Sequence, residues 1–262
     1  MLIAIRDPDD PRIDAFRQVR ERDLVGREGG FMVEGEVVLA KAVAGRHVLA
    51  GLLLAEKRVT VLAPILEQLP EATPVYVAAQ DVLDSIVGFH IHRGILAVGQ
   101  RAPTPSAGEL LAGLPARAVV LALFGIGNHD NMGGLFRNAA AFGAAAVLLG
   151  PDCCDPLYRK AIRVSVGAAL TTPFAWFGPE DPIALLRRHG FEPLALSPTA
   201  AEPLHAVIPP PRAAVILGAE GPGLPQSMLD RARAVAIPMA NGFDSLNVAV
   251  TGGIVLHHLT RG

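Results

Sequence analysis

Three short stretches in the second half of the chain set chemically capable side chains among small ones. They are Asn131-Met-Gly-Gly-Leu-Phe-Arg137-Asn-Ala139, Leu217-Gly218-Ala-Glu220-Gly221-Pro-Gly223-Leu224, and Ile237-Pro238-Met-Ala-Asn-Gly-Phe-Asp-Ser245-Leu246-Asn247-Val248. Arg137 has the planar fork that grips a phosphate through two parallel hydrogen bonds and orients what it holds. A guanidinium stays protonated, so its chemistry is positioning rather than proton removal. Asn131 offers an amide that can hold Arg137 or a sugar, or cap the helix that follows. Glu220, in a glycine-bounded loop, can fix an arginine fork or shape a pocket. Gly218 lets a main chain approach a ligand closely. Ser245 and Asn247 supply a hydroxyl and an amide at the predicted start of the last helix. Such ends attract anions, and Ser245 can cap this one.

Each stretch falls where a predicted strand gives way to a loop or helix, the edge at which open α/β sheets bind ligands. The continuous apolar run Ala118–Leu123 reads as a strand covered on both faces. A helix over 132–142 and a strand ending at Leu149 follow. Further buried strands fit Glu192–Leu196, Ala214–Leu217 and Ala234–Ile237, with a final helix over Ser245–Leu259. Strands alternating with helices predict a parallel sheet clad on both faces.

The earlier part reads as a helix over about 11–24, a short strand at Phe31–Glu34 and a helix over Glu36–Val43. Runs of β character follow at Arg58–Leu62, Pro74–Ala78 and Gly94–Val98. Arg101-Ala-Pro-Thr-Pro-Ser-Ala-Gly108 breaks both periodicities and marks a boundary. It separates residues 1–104, a smaller domain, from 105–262.

With 262 residues, about half of them apolar, the chain can bury a sizeable core. No charge-free apolar run reaches membrane-spanning length, and the start lacks the order of a signal peptide. A cytoplasmic protein is expected. Cys153 and Cys154 are adjacent and suggest neither a disulfide framework nor a zinc site. His90 and His92 alone make a poor metal site, and no metal is expected. The net charge of −2 argues against a general nucleic-acid coat, whereas local clusters matter more for a selective RNA enzyme. Arg12, Arg17, Arg20, Arg22 and Arg27 form such a cluster. Asp14, Glu21, Asp23 and Glu28 beside them also permit a solvated, ion-paired face.

The order and spacing of the three stretches resemble the SpoU (TrmH-like) RNA ribose 2′-O-methyltransferases of the SPOUT superfamily. The resemblance covers 118–257 and includes Phe142-Gly143, Arg163-Val-Ser165-Val-Gly167-Ala168 and Gly252-Gly253-Ile254. Asn128-His129-Asp130 replaces the Asp-Pro-x that often precedes the motif-one Asn. The N-terminal part, through Phe31–Gly35 and His92–Val98, is similar to the L30e-like substrate-binding domain found in this family. The resemblance implies an α/β fold with a C-terminal trefoil knot, a homodimer formed through it, and S-adenosylmethionine bent into the knot loops. It implies cofactor contacts at Leu196, Gly218, Glu220, Gly221, Ile237, Met239 and Leu246. Catalytic roles pass to Asn131, Arg137, Glu220, Ser245 and Asn247, and RNA contacts to Arg12, Arg17, Arg20 and Arg137. The extra domain favours 23S ribosomal RNA as substrate over transfer RNA.

Other functions fit less well. A nicotinamide-binding Rossmann enzyme needs a third glycine that Gly125-Ile-Gly127-Asn-His-Asp130 lacks. A non-catalytic RNA-binding protein on the same fold would not require the retained polar set. A base-methylating relative is disfavoured by Ser245-Leu-Asn-Val248 and Arg137.

Overall fold

The computed structural model describes residues 2–17, 29–88, 91–219, 221 and 223–260. The chain divides into two compact units, one of 1–103 with 157–171, the other of 104–156 with 172–262. The first unit thus takes in a segment, 157–171, that the sequence reading assigns to the later part.

The first unit is built on a five-stranded sheet in the order β1-β4-β3-β5-β2. Its strands are β1 (Leu2–Ile5), β2 (Gly30–Glu34), β3 (Val48–Ala55), β4 (Val75–Ala78) and β5 (Ile95–Gln100). The strands β1, β4 and β3 run parallel, and β5 runs antiparallel to both β3 and β2. Ile13, Phe16, Met32, Leu53, Leu83, Ile86 and Leu96 form a core on one side. Glu34 at the end of β2 pairs with Arg159 at 2.7 Å, which ties the 157–171 segment to this sheet. Ser165 in that segment is fully buried, and its hydroxyl donates to the Ile162 carbonyl at 2.9 Å.

Two expectations change here. Arg58–Leu62 is not a strand, because Val59–Leu66 is helical. The valines there favour β structure only weakly, and tertiary packing that buries Leu62 overrides it. The central strand β3 comes instead from Val48–Ala55. Finally, Pro11–Phe16 is a 3₁₀ helix capped by Asp10, not the start of a longer regular helix. Arg20, Arg22 and Arg27, like His90, lie outside the described residues.

Where β3 begins, the His47 ring is 6% exposed, and its Nδ1 accepts the Ala102 N–H at 3.1 Å. Burial, with Arg46 and Arg101 nearby, pushes its pKa down to about 4. The unfolded chain therefore takes up a proton below the ordinary value of about 6.5 that the folded chain refuses. Stability is full above that value and falls as the pH drops toward 4, by about 3 kcal/mol at most. Urea unfolding at pH 7.5 and pH 5 should show a larger loss for the parent than for His47→Gln. Equal losses would contradict the assignment.

The second unit carries a seven-stranded sheet in the order β10-β12-β9-β11-β6-β7-β8, every pairing parallel. Its strands are β6 (Ala118–Leu123), β7 (Ala146–Leu149), β8 (Phe174–Trp176), β9 (Glu192–Leu196), β10 (Glu202–Pro203), β11 (Arg212–Leu217) and β12 (Arg233–Ala236). Val120, Ala122, Leu148, Phe177, Ile183, Leu186 and Ile216 build one core layer. The chain moves outward from β6 through β7 to β8, then returns on the far side so that β11 pairs with β6. The strand order reverses between β6 and β11, and a crevice opens at the carboxyl ends beside such a reversal. The first two functional stretches leave the sheet there.

Candidate active site

Two helices frame the site, His129–Phe142 after β6 and Val248–Leu259 at the end of the chain. Each begins on an asparagine. The Asn128 side chain accepts from the Asp130 N–H at 2.7 Å and the Asn131 N–H at 3.4 Å. The Asn247 side chain accepts from Ala249 N–H at 2.9 Å and Val250 N–H at 3.2 Å. The expected caps therefore move: Asn128 rather than Asn131 caps the first helix, and Asn247 rather than Ser245 the last. The reason is positional, since a cap must stand two or three residues before the amides it satisfies. The Ser245 hydroxyl instead donates to Asp244 at 3.1 Å. With two first-turn amides already bonded to Asn247, this helix start has less to offer an RNA phosphate than a bare one.

Asn131 is 7% exposed and faces the last helix. Its Oδ1 accepts from Asn247 Nδ2 at 2.8 Å, joining the first and third stretches directly. Small residues permit the close packing. A side chain at Gly134 would meet Ala249 Cβ at 2.8 Å, and one at Gly252 would meet Leu135 Cδ2 at 2.6 Å.

At the carboxyl ends of β9, β11 and β12 lies a cavity of about 400 Å³, within the range of small-molecule sites. Its walls combine apolar side chains of Leu196, Ile237, Met239 and Leu246 with the polar Asp244, Ser245 and Asn247. Gly218 and Gly221 also line it. The Gly218 backbone is in tight contact with its own loop: a Cβ there would lie 2.5 Å from the Gly223 carbonyl carbon. Close approach at Gly218 thus serves the fold before it serves a ligand. Gly125, at φ +66°, meets Ala219 in the same manner, which seats the loop after β6 on the loop after β11.

The structure thus gathers most of the predicted set. Leu196, Gly218, Gly221, Ile237, Met239, Leu246, Ser245 and Asn247 share one cavity, and Asn131 is bonded to its rim. Glu220 lies outside the described residues. Arg137 is exposed on the first of the two helices and does not line the cavity. It stands six residues from Asn131, about 240° around the helix, so the two do not hold each other as expected. No ion pair of Arg137 occurs among the described residues. Arg12 pairs with Asp10 at 2.5 Å, and Arg17 with Asp9 at 2.7 Å. These N-terminal arginines thus carry local counter-charges, and Arg20 lies outside the described residues.

Burial pushes the Cys153 and Cys154 thiols up to about 11 and about 12, and Cys153 Sγ–H donates to the Leu123 carbonyl at 3.2 Å. They are protonated packing residues. Sequence reasoning missed Asp244, whose only signal was its place beside Ser245. It also missed Asn138, seven residues after Asn131 and therefore on the same helix face.

The model of the SpoU rRNA Methylase family matches residues 118–257. An uncharacterized tRNA/rRNA methyltransferase of Mycobacterium bovis is 38% identical over 97% of this chain and 90% of its own length. The 23S rRNA (guanosine-2′-O-)-methyltransferase RlmB of Acinetobacter baylyi is 30% identical over 73% of this chain and 80% of its own. Among solved structures, an AdoMet-bound rRNA methyltransferase from Sinorhizobium meliloti superposes with a TM-score of 0.83 at 22% identity, covering 99% of this chain and 98% of that one. AviRb from Streptomyces viridochromogenes, in complex with AdoMet, gives 0.80 at 19% identity over 96% and 98%. The likeness to these last two is one of fold.

Proposed function

Because the chain belongs to the SpoU rRNA methylase family of RNA methyltransferases, we propose that it methylates a ribose 2′-hydroxyl of 23S ribosomal RNA with S-adenosylmethionine. The observation that carries this reading is the cavity at the ends of β9, β11 and β12, tied through Asn247 to Asn131. The residues present fit the methyl donor. Leu196, Ile237 and Met239 make an apolar slot for a nucleoside, and the Asp244 carboxylate offsets a cationic sulfonium or ammonium that would otherwise be desolvated unpaired. When bound there, S-adenosylmethionine supplies an electrophilic methyl group.

The chain's own residues then supply position. Gly218 and Leu246 present backbone to the donor's edge. Asn247, fixed by its cap bonds and by Asn131, sets the wall against which the ribose is aligned. Arg137 grips an RNA phosphate and so orients the 2′-oxygen, and alignment of this kind removes much of the entropic barrier. Glu220 completes the polar set beside Gly221 in this reading, and Arg12, Arg17 and Arg20 add RNA contacts from the first unit.

The same reading includes a trefoil knot in the second unit, an L30e-like substrate-binding first unit and a homodimer through the knot. Support for the dimer comes from Phe243, Leu246, Val250 and Ile254, large apolar side chains exposed near or on one face of the last helix. Sedimentation at micromolar concentration should give twice the chain mass, and a monomer would contradict the dimer.

The name of the Acinetobacter relative favours a 23S address, whereas that of the mycobacterial relative spans both RNA classes. The test is methyl transfer from labelled S-adenosylmethionine to size-fractionated RNA from a strain lacking the gene. Label is expected in large-subunit ribosomal RNA. Label confined to transfer RNA would overturn the address.

A further inference from the structure

The Asn131 helix and the last helix are joined by a closed circuit of hydrogen bonds, of which the proposed site uses only part. Asn138 Nδ2 donates to the Ala249 carbonyl at 2.6 Å. The Ala249 N–H donates to Asn247 Oδ1 at 2.9 Å, and Asn247 Nδ2 donates to Asn131 Oδ1 at 2.8 Å. Asn131 and Asn138 sit seven residues apart on one helix, about two turns, so both amides project from the same face. The circuit therefore begins and ends on a single rigid element. Gly253 makes room for it: a Cβ there would lie 3.1 Å from Asn138 Nδ2 and 3.3 Å from its Cγ.

We infer that Asn138 is a positioning residue for methyl transfer, acting through Ala249 and Asn247 to set the start of the last helix against the donor cavity. Asn138 does not line that cavity, whereas Asn247, Val248 and Thr251 do. An amide on a helix holds its partner within the width of a hydrogen bond, and sites of this kind lose function to small misplacements. Beside the close packing at Gly134 and Gly252, two anchors seven residues apart on the first helix hold the height and the rotation of the last helix's first turn. Asn138 supplies the second anchor, and its donor must be an N–H because the partner is a carbonyl oxygen. This role rests on the reading of the cavity as the S-adenosylmethionine site.

The test compares the parent with Asn138→Ala, Asn138→Asp, Asn247→Ala and the Asn138→Ala/Asn247→Ala double variant, at a temperature where circular dichroism shows all of them folded. Calorimetric titration with S-adenosylmethionine should give about tenfold weaker binding for each single variant. The double variant should be no more than about twofold weaker than the worse single, because opening one link already breaks the circuit. Asn138→Asp keeps the shape but loses the donor, so it should match Asn138→Ala. Amide exchange at Ala249 and Val250, measured without ligand, should quicken in every Asn138 variant. A lower melting temperature with unchanged S-adenosylmethionine affinity, or parent-like binding by Asn138→Asp, would overturn the positioning role. Failure of the parent itself to bind S-adenosylmethionine would overturn the cofactor reading and this role with it, and the exchange result would then report on the circuit alone.

Discussion

Arg137→Ala should lose methyl transfer by a factor of about 10³, because the RNA phosphate it grips in the proposed reading then no longer aligns the 2′-oxygen. Binding of S-adenosylmethionine should stay within about twofold, because Arg137 does not line the cavity. Stability should also hold, since the side chain is exposed and makes no ion pair among the described residues. Surface substitutions of that kind shift stability by about 0.5 kcal/mol or less. Arg137→Lys keeps the charge and loses the fork, so it should recover only a small part of the rate. Single-turnover transfer together with calorimetry separates these effects. Retained activity in the alanine variant would remove Arg137 from the mechanism.

The second large effect belongs to Gly218. A Cβ there would lie 2.5 Å from the Gly223 carbonyl carbon and 2.7 Å from both the Gly223 oxygen and the Leu224 nitrogen. All three are backbone atoms, so nothing can swing aside and the loop itself must move. Gly218→Ala should weaken S-adenosylmethionine binding at least about 100-fold and cost about 1–3 kcal/mol of stability through overpacking. Gly178→Ala is the control, since no atom lies within 4 Å of a Cβ at that position. Equal behaviour of the two variants in calorimetry and thermal unfolding would contradict the tight-loop account.

Much of this was legible in the residues. Ala118–Leu123 and Ala214–Leu217 read as buried strands because continuous apolar runs have few other uses, and they proved to lie in paired neighbours at the strand reversal. The three stretches stood out because their order and spacing resemble those of the SpoU methyltransferases. What stayed hidden depended on partners distant in sequence. Asn131 and Asn247 are 116 residues apart, and no local pattern shows that their amides meet. Capping was misplaced by a few residues, at Asn131 for Asn128 and at Ser245 for Asn247, because neighbouring polar residues compete equally until the backbone chooses. Arg58–Leu62 reads as β from its three β-branched residues, Val59, Thr60 and Val61, which say little about the helix Val59–Leu66 that they begin. The assignment of 157–171 to the first unit turns on contacts such as Glu34 with Arg159, which no composition shift announces.

The central claim is that the methyl group reaches a ribose oxygen. Its most direct test is to methylate RNA from a strain lacking the gene, digest it to nucleosides and identify the product by mass spectrometry. A single new 2′-O-methylnucleoside, absent when Arg137→Ala replaces the parent, is the result predicted. A nucleoside carrying the new methyl group on its base would contradict the claim.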